Sequence, residues 1–269
     1  LELSTVSDEL FINQQLAILQ DSGERLSLKD ALNQYKIGNF TENSDGKVSF
    51  GFTNDVIWAS LLIKNSSIKA IEKILYLDSA WLDHADFYFI HENEIIESVF
   101  LGDALPFNAR VNKTRMLSLQ HRFKTGTTQV FMRFKSRDPL LIPLYLSSPE
   151  KIQSDLNLSS YFYGFLYGAF FILLVYNVLL SVSLKDRSYF FYSLYLLSFL
   201  SLNVAYTGHG FKFIWPDRVI FQKWAMIVFL HCYNLFGIAF CFEFLKLKVY
   251  LPKVNKLKNV VYAGLAVSS

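Results

Sequence analysis

Trp58, Trp81, Tyr88, Arg115 and Arg133 are the side chains in the first 140 residues best suited to hold a small molecule. Aromatic faces pack against the apolar side of a sugar ring, and a guanidinium donates to hydroxyls or carboxylates. Asp83 supplies an acceptor in the same stretch, with Asp86 three residues on. A structural assignment competes with this one. In a segment so rich in aromatics, Trp58 and Trp81 serve equally well as core, and Asp83 and Asp86 as turn residues at a sheet rim. Catalytic spacing is missing: there is no Gly-rich phosphate loop, no G-x-S-x-G elbow and no H-E-x-x-H. Of the five histidines, His84 and His91 stand closest, and a strand-like run separates them rather than metal-ligand spacing. No cofactor, no metal and no enzymatic activity are expected of this chain.

A second set of polar residues lies within long apolar runs. Asn177, His231 and Asn234 are costly in lipid, so they are expected to face a helix-bundle interior. His231 and Asn234 are three apart and share a helix face. They act either as an intramembrane switch or ligand contact, or as interhelical hydrogen bonds that fix packing. Gly164 and Gly168 form a G-x-x-x-G, which admits a close helix neighbour from the same chain or provides a homodimer face. Glu243, one turn before Lys246, can pair or snorkel at an interface. Gly208-His209-Gly210 has no partner that the sequence identifies.

These residues must be positioned by two unlike halves. Residues 1–158 carry 16 Lys+Arg against 20 Asp+Glu, and residues 159–269 carry 10 against 3. The basic excess lies between apolar runs, where it anchors loops at a membrane face and does not form a nucleic-acid surface. Residues 161–183 are 23 uncharged residues in a row, reaching roughly 34 Å against a hydrocarbon core of about 30 Å. Spans are expected at 160–183, 189–206 and 224–246, with a fourth beginning at residue 260. The loops on one side of these spans hold Lys185, Arg187, Lys246, Lys248, Lys253, Lys256 and Lys258. The loop on the other side holds Lys212, Arg218 and Lys223. This bias places the first set in the cytoplasm and the amino-terminal half outside, with the lipid bilayer as an obligatory partner. Cys232 and Cys241 both lie in the third span, so no disulfide framework is expected. A leader removed or trimmed before Leu1, and more chain after Ser269, are expected.

The amino-terminal half reads in period two. Val130, Met132 and Phe134 alternate with Phe131, Arg133 and Lys135, as in a half-buried strand, and Phe87 and Phe89 alternate with Asp86 and Tyr88. Further strands are expected at 47–53, 56–64, 71–78, 95–101, 114–119 and 140–146, punctuated by turns such as Asp45-Gly46 and Thr125-Gly126. Ser27, with Asp30 three residues on, caps a helix near 28–35. Short antiparallel strands over about 100 residues predict a jelly-roll-like β-sandwich for 1–148. A connector helix at 149–159, opened by Pro149, leads to the membrane region 160–269.

With these elements in view, the chain resembles the bacterial seven-transmembrane receptors with diverse intracellular signalling modules, and its soluble part resembles their second type of extracellular domain. The resemblance rests on Leu19-Gln20-Asp21-Ser22-Gly23 with Leu26-Ser27-Leu28, Val56-Ile57-Trp58, Trp81-Leu82-Asp83 with Asp86-Phe87-Tyr88, Phe131-Met132-Arg133-Phe134 and Ile142-Pro143-Leu144-Tyr145-Leu146. In the membrane half it rests on Tyr163-Gly164 with Gly168, Tyr176-Asn177, Leu184-Lys185-Asp186-Arg187-Ser188-Tyr189 and Trp215-Pro216. It implies a bacterial inner-membrane receptor with a periplasmic sensor domain for a small ligand, carbohydrate among the candidates. It also implies seven spans and a cytoplasmic output such as a diguanylate cyclase or histidine kinase. The rival classes are a membrane-anchored protein-binding module that sends no signal, and a transporter with an accessory domain.

Overall fold

The computed structural model describes residues 1–5 and 8–250, and the chain divides into two units, Leu1–Leu156 and Asn157–Ser269. The fourth span expected from residue 260 lies outside the described residues.

The first unit is built from strands β1 (Glu9–Phe11), β2 (Ala17–Asp21), β3 (Thr41–Glu42), β4 (Ser49–Gly51), β5 (Val56–Asn65) and β6 (Ile71–Leu77). These continue with β7 (His84–His91), β8 (Glu94–Leu101), β9 (Leu117–Phe123), β10 (Gly126–Lys135), β11 (Leu140–Leu141) and β12 (Leu144–Ser147). A helix, α1 (Leu28–Lys36), follows β2. The strands pair into a four-stranded sheet, β1-β12-β6-β9, a six-stranded sheet, β3-β2-β5-β10-β7-β8, and a two-stranded ribbon, β11-β4. Leu75, Leu77, Leu117 and Leu119 from the smaller sheet meet Ile57, Leu61, Phe87, Met132 and Phe134 from the larger one in a single buried cluster. The unit is therefore an antiparallel β-sandwich, with its main core between the sheets.

The larger sheet is covered on both faces. Period-two alternation sends Val130, Met132 and Phe134 inward and Phe131 outward, yet Phe131 is fully buried. The cover is α1, which packs Ala31, Leu28, Leu32 and Tyr35 over Val56, Trp58 and Phe131. Burying a side chain the size of Phe131 contributes roughly 1.5–3 kcal/mol, so this second layer is a substantial part of the fold. Ser27 starts α1 as the sequence indicates. Its Oγ accepts from Asp30 N at 3.3 Å, and Asp30 Oδ2 accepts from Ser27 N at 3.2 Å. Ser27 Oγ–H also donates to Asp30 Oδ2 at 2.6 Å, and this bond, then that from Ser27 N, holds the Asp30 carboxyl below its ordinary pKa.

Two expected strands are relocated. The run 140–146 is broken at Pro143, which has no N–H to donate. β11 pairs with β4, and β12 crosses to β6 and β1. Asn13 secures the crossover: its Nδ2 donates to Ile142 O at 2.8 Å and its Oδ1 accepts from Leu144 N at 2.8 Å. The strand expected at 114–119 is β9, displaced toward the carboxyl terminus, because Arg110 Nη1 donates to Thr114 O at 3.4 Å and to Arg115 O at 3.3 Å and holds them in a loop. Burial pushes the Arg110 guanidinium pKa down to about 10, with Asp103 opposing the shift.

The second unit is helical. α2 (Pro149–Leu184) begins in the first unit, and α3 (Arg187–Tyr206), α4 (His209–Phe213), α5 (Val219–Phe244) and α6 (Leu247–Tyr250) follow. Three helices, α2, α3 and α5, are long and apolar enough to cross a membrane. The third begins at Val219, five residues before the start expected at Trp224. Large apolar side chains on these helices, Phe165, Ile172 and Ile220 among them, point away from protein, as lipid-facing positions do. α3 and α5 run antiparallel. Tyr192 meets Phe240, Tyr195 meets Tyr233 with a hydroxyl–hydroxyl distance of 2.9 Å, and Phe199 also meets Tyr233. A Cβ on Gly237 would lie 3.1 Å from the Tyr195 ring, so the small residue that lets two helices approach is Gly237.

Gly164 and Gly168 have no such neighbour among the described residues. A Cβ on Gly164 or Gly168 would have no atom within 4 Å, so neither glycine is pressed against a described helix. The intramembrane polar residues all bond within their own helices, and Asn177 is buried. Asn177 Nδ2 donates to Leu173 O at 2.8 Å, and Asn234 Nδ2 donates to Leu230 O at 2.9 Å. His231 Nδ1 lies 2.8 Å from Ile227 O. Each thus bonds the carbonyl one turn back on its own helix, which meets part of its hydrogen-bonding capacity in lipid.

Candidate ligand-binding face

The site residues are set by strand register on the outward face of the larger sheet. Arg133 on β10 stands opposite Trp58 on β5 and Asp86 on β7, while Leu19 on β2 stands opposite Trp58 and Phe100 on β8 opposite Asp86. One row across five strands therefore reads Leu19, Trp58, Arg133, Asp86, Phe100. The next reads Ser60, Phe131, Tyr88, Ser98 across four. Directly opposed side chains on one face are about 5 Å apart, so these residues are neighbours by construction.

Arg133 is the centre of the charge pattern. Its Nη1 donates to Asp86 Oδ2 at 3.2 Å and its Nη2 to Glu24 Oε1 at 2.5 Å, while Lys135 Nζ pairs with the other Glu24 oxygen. Glu24 reaches over the sheet from a tight turn in which Gly23 and Glu24 both have positive φ, +84° and +53°. Asp21 fixes that turn by accepting from Arg25 N at 3.1 Å and Leu26 N at 3.0 Å. A non-glycine residue in the left-handed region carries strain, here held in place by the ion pairs. Lys135, then Arg133, holds the Glu24 carboxyl below its ordinary pKa. Asp86 moves the other way: burial raises it, and Arg133 offsets this only in part.

The aromatic residues divide. Tyr88 is half-buried on this face, edge-on to Phe100 at 6.0 Å between ring centroids, and burial raises its hydroxyl pKa. Trp58 presents no open face. It is 1% exposed beneath α1, 5.7 Å from the Phe131 ring, with the Arg133 guanidinium 6.0 Å from its own ring. Its Nε1 is buried with no hydrogen-bond partner among the described residues. The surface reading of Trp58 is thus replaced by a core role, because a helix covers the strand face that the alternation exposes. Arg133, which the alternation leaves open to solvent, is paired on two sides.

Trp81 and Asp83 lie in the connection before β7, at the rim of the same sheet. Asp83 Oδ2 accepts from Arg137 N at 2.7 Å, and a Cβ on Gly102 would sit 1.9 Å from Asp83 O, so glycine is required there. Asp83 thus acts as a loop anchor. Arg115 is separate: it precedes β9 in the smaller sheet and does not join the row. Sequence reasoning missed Glu24, Lys135 and Phe100. The signals were present in the Gly23-Glu24 turn and in an outward aromatic on β8, but only register brings them to Arg133. Gly208-His209-Gly210 also finds its partners. His209 Nδ1 lies 2.9 Å from Thr207 Oγ1 and 3.2 Å from Tyr167 Oη, and Gly210 leaves room for the Trp215 ring, which a Cβ would meet at 2.1 Å. No group of three or more His, Cys, Asp or Glu side chains among the described residues is arranged to hold a metal.

With this geometry established, comparison with known proteins is informative. The family model 7TMR-DISM extracellular 2 matches residues 13–148, just over half of the chain. The chain belongs to that family. A second model, 7TM diverse intracellular signalling, matches residues 159–269. A 7TMR-DISM chain with both parts is the sensory portion of a receptor-like membrane protein, an extracellular domain followed by membrane-spanning helices. No curated protein matches it. Among solved structures, a GH31 α-xylosidase from Xanthomonas citri aligns at 11% identity and TM-score 0.26, over 50% of this chain and 13% of the xylosidase. A family 35 carbohydrate binding module from Clostridium thermocellum aligns at 8% identity and TM-score 0.25, over 53% of this chain and 99% of the module. Another family 35 module, from an environmental isolate, aligns at 14% identity and TM-score 0.22, over 36% and 67%.

Proposed function

We propose that the sandwich is a periplasmic sensor for a neutral, hydroxyl-rich small molecule of the carbohydrate class, bound at the outward face around Arg133. The membrane helices would then pass the bound state to a cytoplasmic output such as a diguanylate cyclase or histidine kinase. The observation that carries this reading is the order of the two family matches, an extracellular domain followed directly by a signalling membrane region. The charge pattern supports the ligand class. Arg133 and Lys135 are balanced by Glu24 and Asp86, so the face has no net charge with which to draw in a free carboxylate. Fixed donors and acceptors beside Tyr88 and Phe100 suit hydroxyls and the apolar face of a ring. The ligand signals only through its differential affinity for two states of the receptor.

The test is calorimetric screening of the full chain in lipid nanodiscs against neutral glycans and organic acids. A neutral glycan whose affinity falls at least tenfold in Arg133→Ala, about 1.4 kcal/mol, is the expected outcome. Binding confined to organic acids overturns the ligand class. A glycan whose affinity is unchanged in Arg133→Ala moves the site elsewhere.

A further inference from the structure

Along β9 the inward positions read Leu117, Leu119, His121 and Phe123, so a histidine stands where the alternation calls for an apolar residue. Its ring is 5% exposed and lies flat against Phe89 of the opposite sheet, 3.8 Å between centroids, with Phe123 edge-on at 4.7 Å. Nδ1 is 2.5 Å from Glu97 Oε2 on β8. β8 ends the larger sheet and β9 ends the smaller one, so this contact joins two edge strands across the sandwich. Nε2 is buried and has no hydrogen-bond partner among the described residues.

The other charged and titratable groups around the ring come from three strands. Lys73, itself buried, stands opposite His121 on β6. His91 ends β7, with its Nδ1 3.2 Å from Thr128 Oγ1, and Glu94 on β8 stands opposite His91. In the neutral ring, Nδ1–H donates to the Glu97 carboxylate and Nε2 is a bare acceptor. A second proton makes Nε2 a charged donor with nothing to donate to among the described residues, and His91 disfavours that charge. An unmet charged donor is among the costlier groups to bury.

We propose that the His121–Glu97 contact is an acid-released clasp, and that protonation of His121 opens the β8–β9 seam of the sandwich between pH 7 and pH 5. Burial holds His121 below its ordinary pKa, and the hydrogen bond and charge of Glu97 offset this only in part. The sign follows by linkage. With the seam open the imidazole meets water and takes its proton more readily than when closed, so falling pH favours the open form. β8 also carries Phe100, so opening disturbs the ligand-binding face. That consequence rests on the proposed ligand site, whereas the clasp does not.

Hydrogen–deuterium exchange on the full chain in detergent tests the clasp at pH 7 and pH 5, with exchange times scaled for the intrinsic pH dependence of amide exchange. Protection of residues 94–101 and 117–123 is expected to fall about fivefold relative to β5, the scale one buried titrating group supplies. In His121→Phe, which keeps the stack on Phe89, that relative fall should vanish. Glu97→Gln is a second route if the Phe variant does not fold. Removing the group that favours the charged ring should deepen the acid response. Unchanged protection in the wild-type chain, an equal loss in β5, an acid response that survives in His121→Phe, or one that Glu97→Gln leaves unaltered would each overturn the clasp.

Discussion

Arg133 sits at an outward position of β10, yet Asp86 and Glu24 hold its guanidinium on two sides, so what it offers a ligand is a fixed fork and not a mobile cation. Trp58, one strand away in the same row, shows the opposite outcome for an aromatic of similar promise. It lies under α1 with an indole N–H that bonds nothing among the described residues. A buried unmet donor costs about 1–3 kcal/mol, so Trp58→Phe, which keeps most of the ring and removes the donor, should leave stability unchanged or raise it by up to about 1 kcal/mol. Urea denaturation followed by far-UV circular dichroism reads this directly. A loss beyond about 2 kcal/mol would mean that ring volume, and not the donor, dominates at this site. Residue type and alternation group Trp58, Trp81, Tyr88, Arg115 and Arg133 as one surface, and strand register brings only Trp58, Tyr88 and Arg133 of these onto one sheet face. They could not say which of the three a helix would cover, because a strand's period identifies shared faces and carries no information about what lies on top of them.

The cover is itself an element the sequence announces. Ser27 and Asp30 form the reciprocal cap expected of them, and α1 starts where that cap places it. Removing a cap of this kind costs about 1 kcal/mol, so Ser27→Ala should lower the unfolding free energy by about that much, and Ser27→Asp should restore it. The same variant should raise the exposure of Phe131 and Trp58, seen as a red shift of tryptophan emission at mild denaturant. An unshifted midpoint in Ser27→Ala would show that packing on Val56 and Phe131 alone holds α1 down. Elements were illegible where a local feature interrupted their period. Pro143 split one expected strand between β11 and β12, and the inward His121 concealed the last turn of alternation in β9. β1 and β3, of three and two residues, are too short to show a period at all.

For the whole molecule, the distribution of charge sets the expected orientation. Seven Lys and Arg residues in the loop after the first span and the stretch after the third oppose three between the second and third. Each basic residue near an anionic leaflet contributes about 1 kcal/mol, so an excess of four favours one orientation by several kcal/mol. The helices α2, α3 and α5 alternate across the bilayer if each crosses once, which puts Lys185 and Lys246 on the same side. A reporter active only in the cytoplasm should therefore score when fused after Leu184 and stay silent after Gly210, and a reporter active only outside should give the converse. Moving the bias should move the topology: Lys185→Glu with Arg187→Glu weakens the cytoplasmic anchor and should produce a mixed population detectable by both reporters. If the fusion after Leu184 instead reads external, the amino-terminal sandwich faces the cytoplasm. Its candidate face around Arg133 would then sample intracellular metabolites, and the sensor reading would need a ligand from that pool.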